Sequence, residues 1–139
     1  MAEACAAAMW AEDRASQGLG LRLIRVAPGE AEMTLTVAPH MANGHGICHG
    51  GFVFALADSA FAFACNSFNR RAVAQSNSIT YLRPAQVGQV LTARAARAAE
   101  AGRSGIYDVL VTDEAGAAIA AFRGLSRSID GTLVPEQTP

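Results

Sequence analysis

One apolar run, residues 52–65, limits what this chain can fold into more than any other feature. It is too short to cross a bilayer and carries apolar side chains on every side: Phe52, Phe54, Leu56, Phe61 and Phe63. Such a helix must be enclosed, and one face of one sheet covers only part of it. A single acid, Asp58, nevertheless stands near its middle. Burying an ionised carboxylate is costly unless something compensates for it, so Asp58 is a site candidate. The plainer reading is a hydrogen-bonded helix residue at a polar interface.

The helix, expected over about 50–67, grows out of the loop Asn43-Gly-His-Gly-Ile-Cys-His-Gly-Gly51. Glycines at a helix start expose backbone N–H groups where negative charge is welcome. A carboxylate combined with an anion-stabilising helix end points to acyl-group chemistry. Asn66, Ser67 and Asn69 supply stop signals.

Alternation and turn residues divide the rest. A short helix is expected at about 3–12, a hairpin from strands 21–26 and 32–37 about Pro28-Gly29-Glu30, and four strands at 72–82, 90–98, 104–112 and 117–128. Residues 93–99 are alanine-rich and compatible with helix, but the flanking turns and antiparallel spacing favour strand. The tail from about 132 to 139 reads as loose. This order predicts an α+β chain, 1–139 as one domain, with a curved antiparallel sheet of five to six strands around a long central helix. The helix surface left over would be covered most economically by the same region of a second subunit.

At 139 residues the chain is long enough for a respectable core. A net charge of −1, with arginines scattered, argues against a nucleic-acid surface. Cys5, Cys48 and Cys65 make no paired framework, and the opening residues lack the basic start of a secretory signal. A soluble, cytoplasmic protein that does not engage a membrane is expected.

Spacing also constrains the chemistry. Asp58 lies eight residues beyond Gly50, about 12 Å along a helix at ~1.5 Å per residue. One acyl carbonyl cannot touch both groups of one helix. If they cooperate, Gly50 of one subunit faces Asp58 of another, with the two helices antiparallel.

The segments Asn43-Gly44-His45, Cys48-His49-Gly50-Gly51 and Leu56-Ala57-Asp58 resemble the hot-dog-fold acyl-CoA thioesterases of the phenylacetic-acid degradation type. Ile79-Thr80-Tyr81-Leu82-Arg83-Pro84-Ala85, Gly105-Ile106-Tyr107-Asp108 and Ala121-Phe122-Arg123-Gly124 are similar as well, so the likeness spans roughly residues 15–131. The resemblance implies a hot-dog fold and a homo-oligomer, a dimer with shared active sites built into a tetramer. It implies hydrolysis of acyl-CoA thioesters such as phenylacetyl or hydroxyphenylacetyl, with no cofactor beyond the coenzyme A of the substrate. Carried over by position, Gly50 matches the backbone oxyanion donor and Asp58 the catalytic carboxylate, with Asn43 and His49 as supporting polar residues. Gly51, Ser76 and Arg83 are the substrate-binding candidates. Some relatives carry a hydroxyl or acid on the strand after the helix; the nearest positions are Ala74, which offers no such group, and Ser76, a weak replacement.

Each candidate has a plainer alternative. Asp58 would act as general base toward water or as nucleophile toward the carbonyl, and the sequence leaves both open. His49 either fixes the loop or polarises the thioester; Asn43 either makes its turn or orients water. His40, His45, Cys48 and His49 match no common zinc spacing, so no metal is expected. Cys48 is a candidate thiol nucleophile, but no independent base is assured for it and small buried cysteines are commonly inert; Cys65 reads as core. Arg83 and Asn69-Arg70-Arg71 are solvated charges or holders of a coenzyme A phosphate, and Arg123 is expected to pair with an acid or line an interface. Two other functions fit the fold: an enoyl-CoA hydratase or dehydratase using His49 and Asp58, and a non-catalytic acyl-CoA-binding module. Release of free thiol marks the thioesterase, a changed acyl chain on an intact thioester marks the hydratase, and saturable binding without turnover marks the module.

Overall fold

Turns and caps at named residues fix where each element of the chain starts and stops. In the computed structural model, which describes residues 1–136, these begin with two short helices, α1 (Ala2–Glu12) and α2 (Arg14–Gly18). Asp13 separates them by capping α2, accepting from the Ser16 amide at 2.9 Å. Next come β1 (Arg22–Ala27) and β2 (Glu30–Thr36), turned at Gly29, whose φ of +73° suits glycine. The long helix α3 (Gly50–Cys65) follows, then β3 (Ala72–Tyr81), β4 (Val90–Ala101), β5 (Ser104–Thr112) and β6 (Ala118–Ser128).

The six strands form one antiparallel sheet in the order β1-β2-β4-β5-β6-β3. β3 leaves α3 at one edge of the sheet and pairs with β6, so the edges are β1 and β3. Period-two burial marks the face that meets the helix: Ala31, Met33 and Leu35 of β2 and Leu91, Ala93 and Ala95 of β4 face inward. Of the alanines that made residues 93–99 ambiguous, Ala93 and Ala95 are buried beneath α3, while Ala96, Ala98 and Ala99 are exposed. Across the helix, Val53, Leu56, Ala57, Ala60, Phe61, Phe63 and Ala64 are buried.

Several expected boundaries move. α3 stops at Cys65, two residues before Ser67, because Asn66 and Ser67 cap it. The Asn66 amide donates to the Ala62 and Ala72 carbonyls at 2.9 and 3.1 Å, and its oxygen accepts from the Ala72 amide at 2.9 Å. One side chain thereby ends the helix and starts β3. β4 continues past 98 to Ala101, since its turn falls at Gly102 with φ +58°. The hairpin strands are displaced, with β1 starting at Arg22 and β2 at Glu30. The short α2 went unread between Glu12 and Gly20. The tail is tied down at its start: the Leu133 and Val134 amides each donate to Asn69 Oδ1 at 3.0 Å. Residues 137–139 lie outside the described residues.

One stripe of α3 is left partly open, comprising Gly51, Ala55, Asp58 and Ala62. Among the described residues no helix is long and apolar enough to cross a membrane.

Candidate active site

The start of α3 is shaped by the loop before it. Asn43 folds that loop on itself: its Oδ1 accepts from the His45 amide at 2.9 Å, and its own amide bonds the Ile47 carbonyl at 2.8 Å. His49 caps the helix, its Nδ1 accepting from the Gly51 amide at 2.9 Å. The neutral ring therefore carries its proton on Nε2. Both side chains make the loop-fixing contacts that their plainer readings called for.

Gly50 is the first residue of α3, and an amide at that position has no acceptor within its own helix. Its carbonyl accepts from the Tyr81 hydroxyl at 2.8 Å. A Cβ on Gly50 would come within 2.9 Å of Tyr81 Cζ, so the tyrosine ring occupies the space any larger residue would need. Beside them opens a cavity of about 520 Å³ lined by Asn43, Cys48, Gly50, Val53, Tyr81 and Arg83, among others. Three of the expected site residues thus converge. Arg83 is exposed, and among the described residues its guanidinium has no hydrogen-bond or ion-pair partner. His49, Gly51, Asp58 and Ser76 do not line this cavity.

Asp58 sits farther along the helix, on the open stripe. Burial raises its pKa above the ordinary aspartate value, and a hydrogen bond from Asn77 works in the other direction. That bond runs from Asn77 Nδ2 to Asp58 Oδ1 at 3.0 Å. Asn77 pairs with Gly124 of β6, and Gly124 has no room for a side chain because three Phe61 ring atoms lie 2.8 Å from where its Cβ would be. Alternation then turns Ser76, the neighbour of Asn77, to the opposite face of the sheet, where it is exposed opposite Leu125. Ser76 does not meet Asp58 within the chain; Asn77 does.

The remaining candidates fall where their chemistry permits. Cys48 and Cys65 are buried thiols with pKa pushed up by desolvation, Cys65 to about 12, which leaves them protonated and poor nucleophiles. Arg123 forms a two-pronged ion pair with Asp108 on the outer face of the sheet, at 2.7 and 3.0 Å. Arg70 pairs with Glu100 at 3.1 Å. Among the described residues no three His, Cys, Asp or Glu side chains are grouped to hold a metal.

Comparison with known proteins decides the family. The thioesterase superfamily model matches residues 45–127, from the glycine loop through β6. The acyl-coenzyme A thioesterase PaaI of Escherichia coli K12 is 42% identical over 129 residues, 93% of this chain and 92% of the relative. The chain belongs to the PaaI-type thioesterases. The solved E. coli PaaI structure, a protein of the phenylacetic acid degradation operon, superposes with a TM-score of 0.92 over 94% of this chain and 95% of that one. A mutant structure of PaaI from Thermus thermophilus, 39% identical, superposes at 0.81 over 84% of this chain and 100% of its own. The six-stranded sheet around α3 is the hot-dog fold, and membership in this family makes the chain an acyl-CoA thioesterase homologue.

Two residues that matter to this geometry, Asn77 and Tyr81, went unread as site residues. A signal for both was present: in β3, positions 77, 79 and 81 share one face at period two, the face that holds Ile79 against the core.

Proposed function

We propose that the chain hydrolyses aryl-acetyl-type acyl-CoA thioesters at a site shared between two copies. The observation that carries this reading is the placement of two complementary groups on one rigid helix. The Gly50 amide stands at the helix start beside an apolar cavity, and Asp58 lies about 12 Å farther on at ~1.5 Å per residue. A second copy with its α3 antiparallel would bring its Asp58 to the first copy's Gly50. The open stripe of Gly51, Ala55, Asp58 and Ala62 supports such a contact.

In this mechanism the thioester carbonyl accepts from the Gly50 N–H, which is already oriented and needs no rearrangement as the oxyanion forms. Asp58 of the partner copy takes a proton from water as that water attacks, and the tetrahedral intermediate collapses with loss of the coenzyme A thiolate. Desolvation makes Asp58 a stronger base than a solvated carboxylate, which suits it to drawing a proton from water. Asn43 and His49 keep the loop in shape, with Gly51 tied to the His49 ring. Arg83 lines the cavity, is exposed and unpaired among the described residues, and is suited to a coenzyme A phosphate. Ser76, on the outer face, takes no part within its own chain.

The test is free-thiol release from phenylacetyl-, hydroxyphenylacetyl-, benzoyl- and medium-chain acyl-CoA. Preferential turnover of the aryl-acetyl thioesters is expected. Release from the aliphatic ones alone would overturn the substrate class, and release from none would overturn the activity.

A further inference from the structure

We propose that Asn77 is the positioning residue for Asp58, its Nδ2–H holding one carboxylate oxygen so that the other is presented to the reacting water. This rests on the reading of Asp58 as the catalytic base.

Three observations carry the assignment. The first is the 3.0 Å bond from β3 to the middle of α3, which joins the carboxylate to a strand rather than to its own helix. Among the described residues it is the hydrogen bond made by the Asp58 side chain, and it engages Oδ1 alone, leaving Oδ2 for chemistry. The second is that Asn77 Oδ1 is buried and, among the described residues, has no partner. A buried amide oxygen without a donor destabilises a fold, and an apolar side chain of similar size would avoid that penalty. Turning the amide over would not help, since two acceptors would then face each other and the NH₂ would be stranded instead. The third is the setting: the Phe61 ring lies against Gly124, the residue paired with Asn77, so this part of the inner face is apolar. Hydrogen bonds to a charged group are strong in such surroundings. A polar residue kept in an apolar place at a cost to stability, and touching the one carboxylate of α3, is what a functional demand would leave behind.

Few charges compete with this contact. Of the groups around Asp58, Asn77 of β3 is uncharged and its β6 partner is Gly124. On α3 itself, the Cys65 thiol feels the Asp58 charge but titrates only at about 12. Asp13 lies at the end of a relay, bonded to Ser16, which bonds Ser59. Asp58 therefore responds mainly to its burial and to Asn77.

The experiment compares Asn77→Leu with wild type and with Asp58→Ala, measuring thiol release across pH 4–9 alongside chemical denaturation. The expected result for Asn77→Leu is a kcat at least tenfold lower at neutral pH with KM little changed. The acidic limb of its kcat profile should move to higher pH, and resistance to denaturant should be equal to or above wild type. If activity falls in proportion to lost stability, with the limb unmoved, Asn77 is structural and the proposal is overturned. If Asn77→Leu is fully active while Asp58→Ala is dead, positioning fails and the catalytic role of Asp58 stands. If Asp58→Ala is itself active, both fall together. Should leucine disturb the sheet, Asn77→Ser, smaller and still polar, is read in the same way: too short to reach Asp58, it must show the same displaced limb.

Discussion

Gly50 and Asp58 share one helix yet depend on different parts of the chain. At Gly50 the backbone supplies the working group, and what matters is an omission: the Tyr81 ring lies where a Cβ would go. The surroundings reinforce that geometry, with Tyr81 bonding the Gly50 carbonyl and His49 capping the turn. At Asp58 a side chain supplies the working group, and what matters is the medium. It is half-buried, its pKa is raised by desolvation, and it is bonded to a strand residue whose own oxygen has no partner among the described residues. The first site should be sensitive to shape and indifferent to pH; the second should be sensitive to pH and tolerant of shape.

The largest expected effect comes from deleting the acid. Asp58→Ala should lower kcat by roughly 10²–10⁴, the usual span for general-base catalysis, while leaving the fold intact. Thiol release and a denaturation curve on the same preparation check both halves. Loss of folding instead of activity would show that Asp58 is a structural residue and erase the contrast.

Next in size is Gly50→Ala. Its Cβ would stand 2.9 Å from Tyr81 Cζ, so either the ring or the first turn of α3 must move. Removal of one oxyanion donor costs roughly 10²–10³ in rate, and displacement should cost less, about tenfold to a hundredfold. The loss should be the same from pH 5 to 9. A pH-dependent loss would mean that the two ends of the helix are not separable in this way.

The two ends also differed in how legible they were. The glycine loop, the helix it opens and the lone acid could all be read from residue type and local spacing, because a helix start and an apolar run are local properties. So could the sheet, from alternation and turns. What met Asp58 could not be read from local pattern alone. Asn77 and Ser76 are neighbours, both polar; alternation about Ile79 puts Asn77 on the inner face, but which part of the inner face it meets follows from the pairing of β3 with β6, which sets Asn77 opposite Gly124. Register is a long-range property, and a bulge between Ala74 and Ser76 shifts it by a residue, which reverses the faces. The cap at Asn66 is similar: a polar residue at a helix end is visible in sequence, but its two hydrogen bonds with the Ala72 backbone exist only once β3 has come alongside.

A smaller effect separates Asp58 from a second acid, Asp108. The folded pKa of Asp58 is raised above its unfolded value of 3.8, so the native state favours the protonated form. Its contribution to stability is full below about that value and is lost as pH rises through the folded pKa. Asp58→Asn, which keeps the shape and can still accept from Asn77, should therefore raise Tm at pH 7, with the gain fading toward pH 4. Asp108 has the opposite sign, since the Arg123 guanidinium lowers its pKa. Its stabilisation is present above the unfolded pKa and is lost as pH falls through the folded one. Because that pair is exposed and screened by solvent, Asp108→Asn should lower Tm only slightly at pH 7. Melting curves of both variants at pH 4 and 7 check the crossed signs.

The smallest expected effect tests how much of the Gly50 end depends on a hydrogen bond and how much on occupied space. Tyr81→Phe removes the 2.8 Å bond to the Gly50 carbonyl but leaves the ring against the glycine. Tyr81 is half-exposed, so water can take over the freed carbonyl, and the stability cost should stay at or below about 1 kcal/mol. Activity should fall only a few-fold, because the amide that faces the thioester is unchanged. Tyr81→Ala should do more harm to activity by opening the cavity wall, and it should also relieve the clash in Gly50→Ala. Kinetics of the Gly50→Ala, Tyr81→Ala and double variants would measure that coupling: a double variant better than the product of the singles shows that the tyrosine ring is what excludes a side chain at position 50.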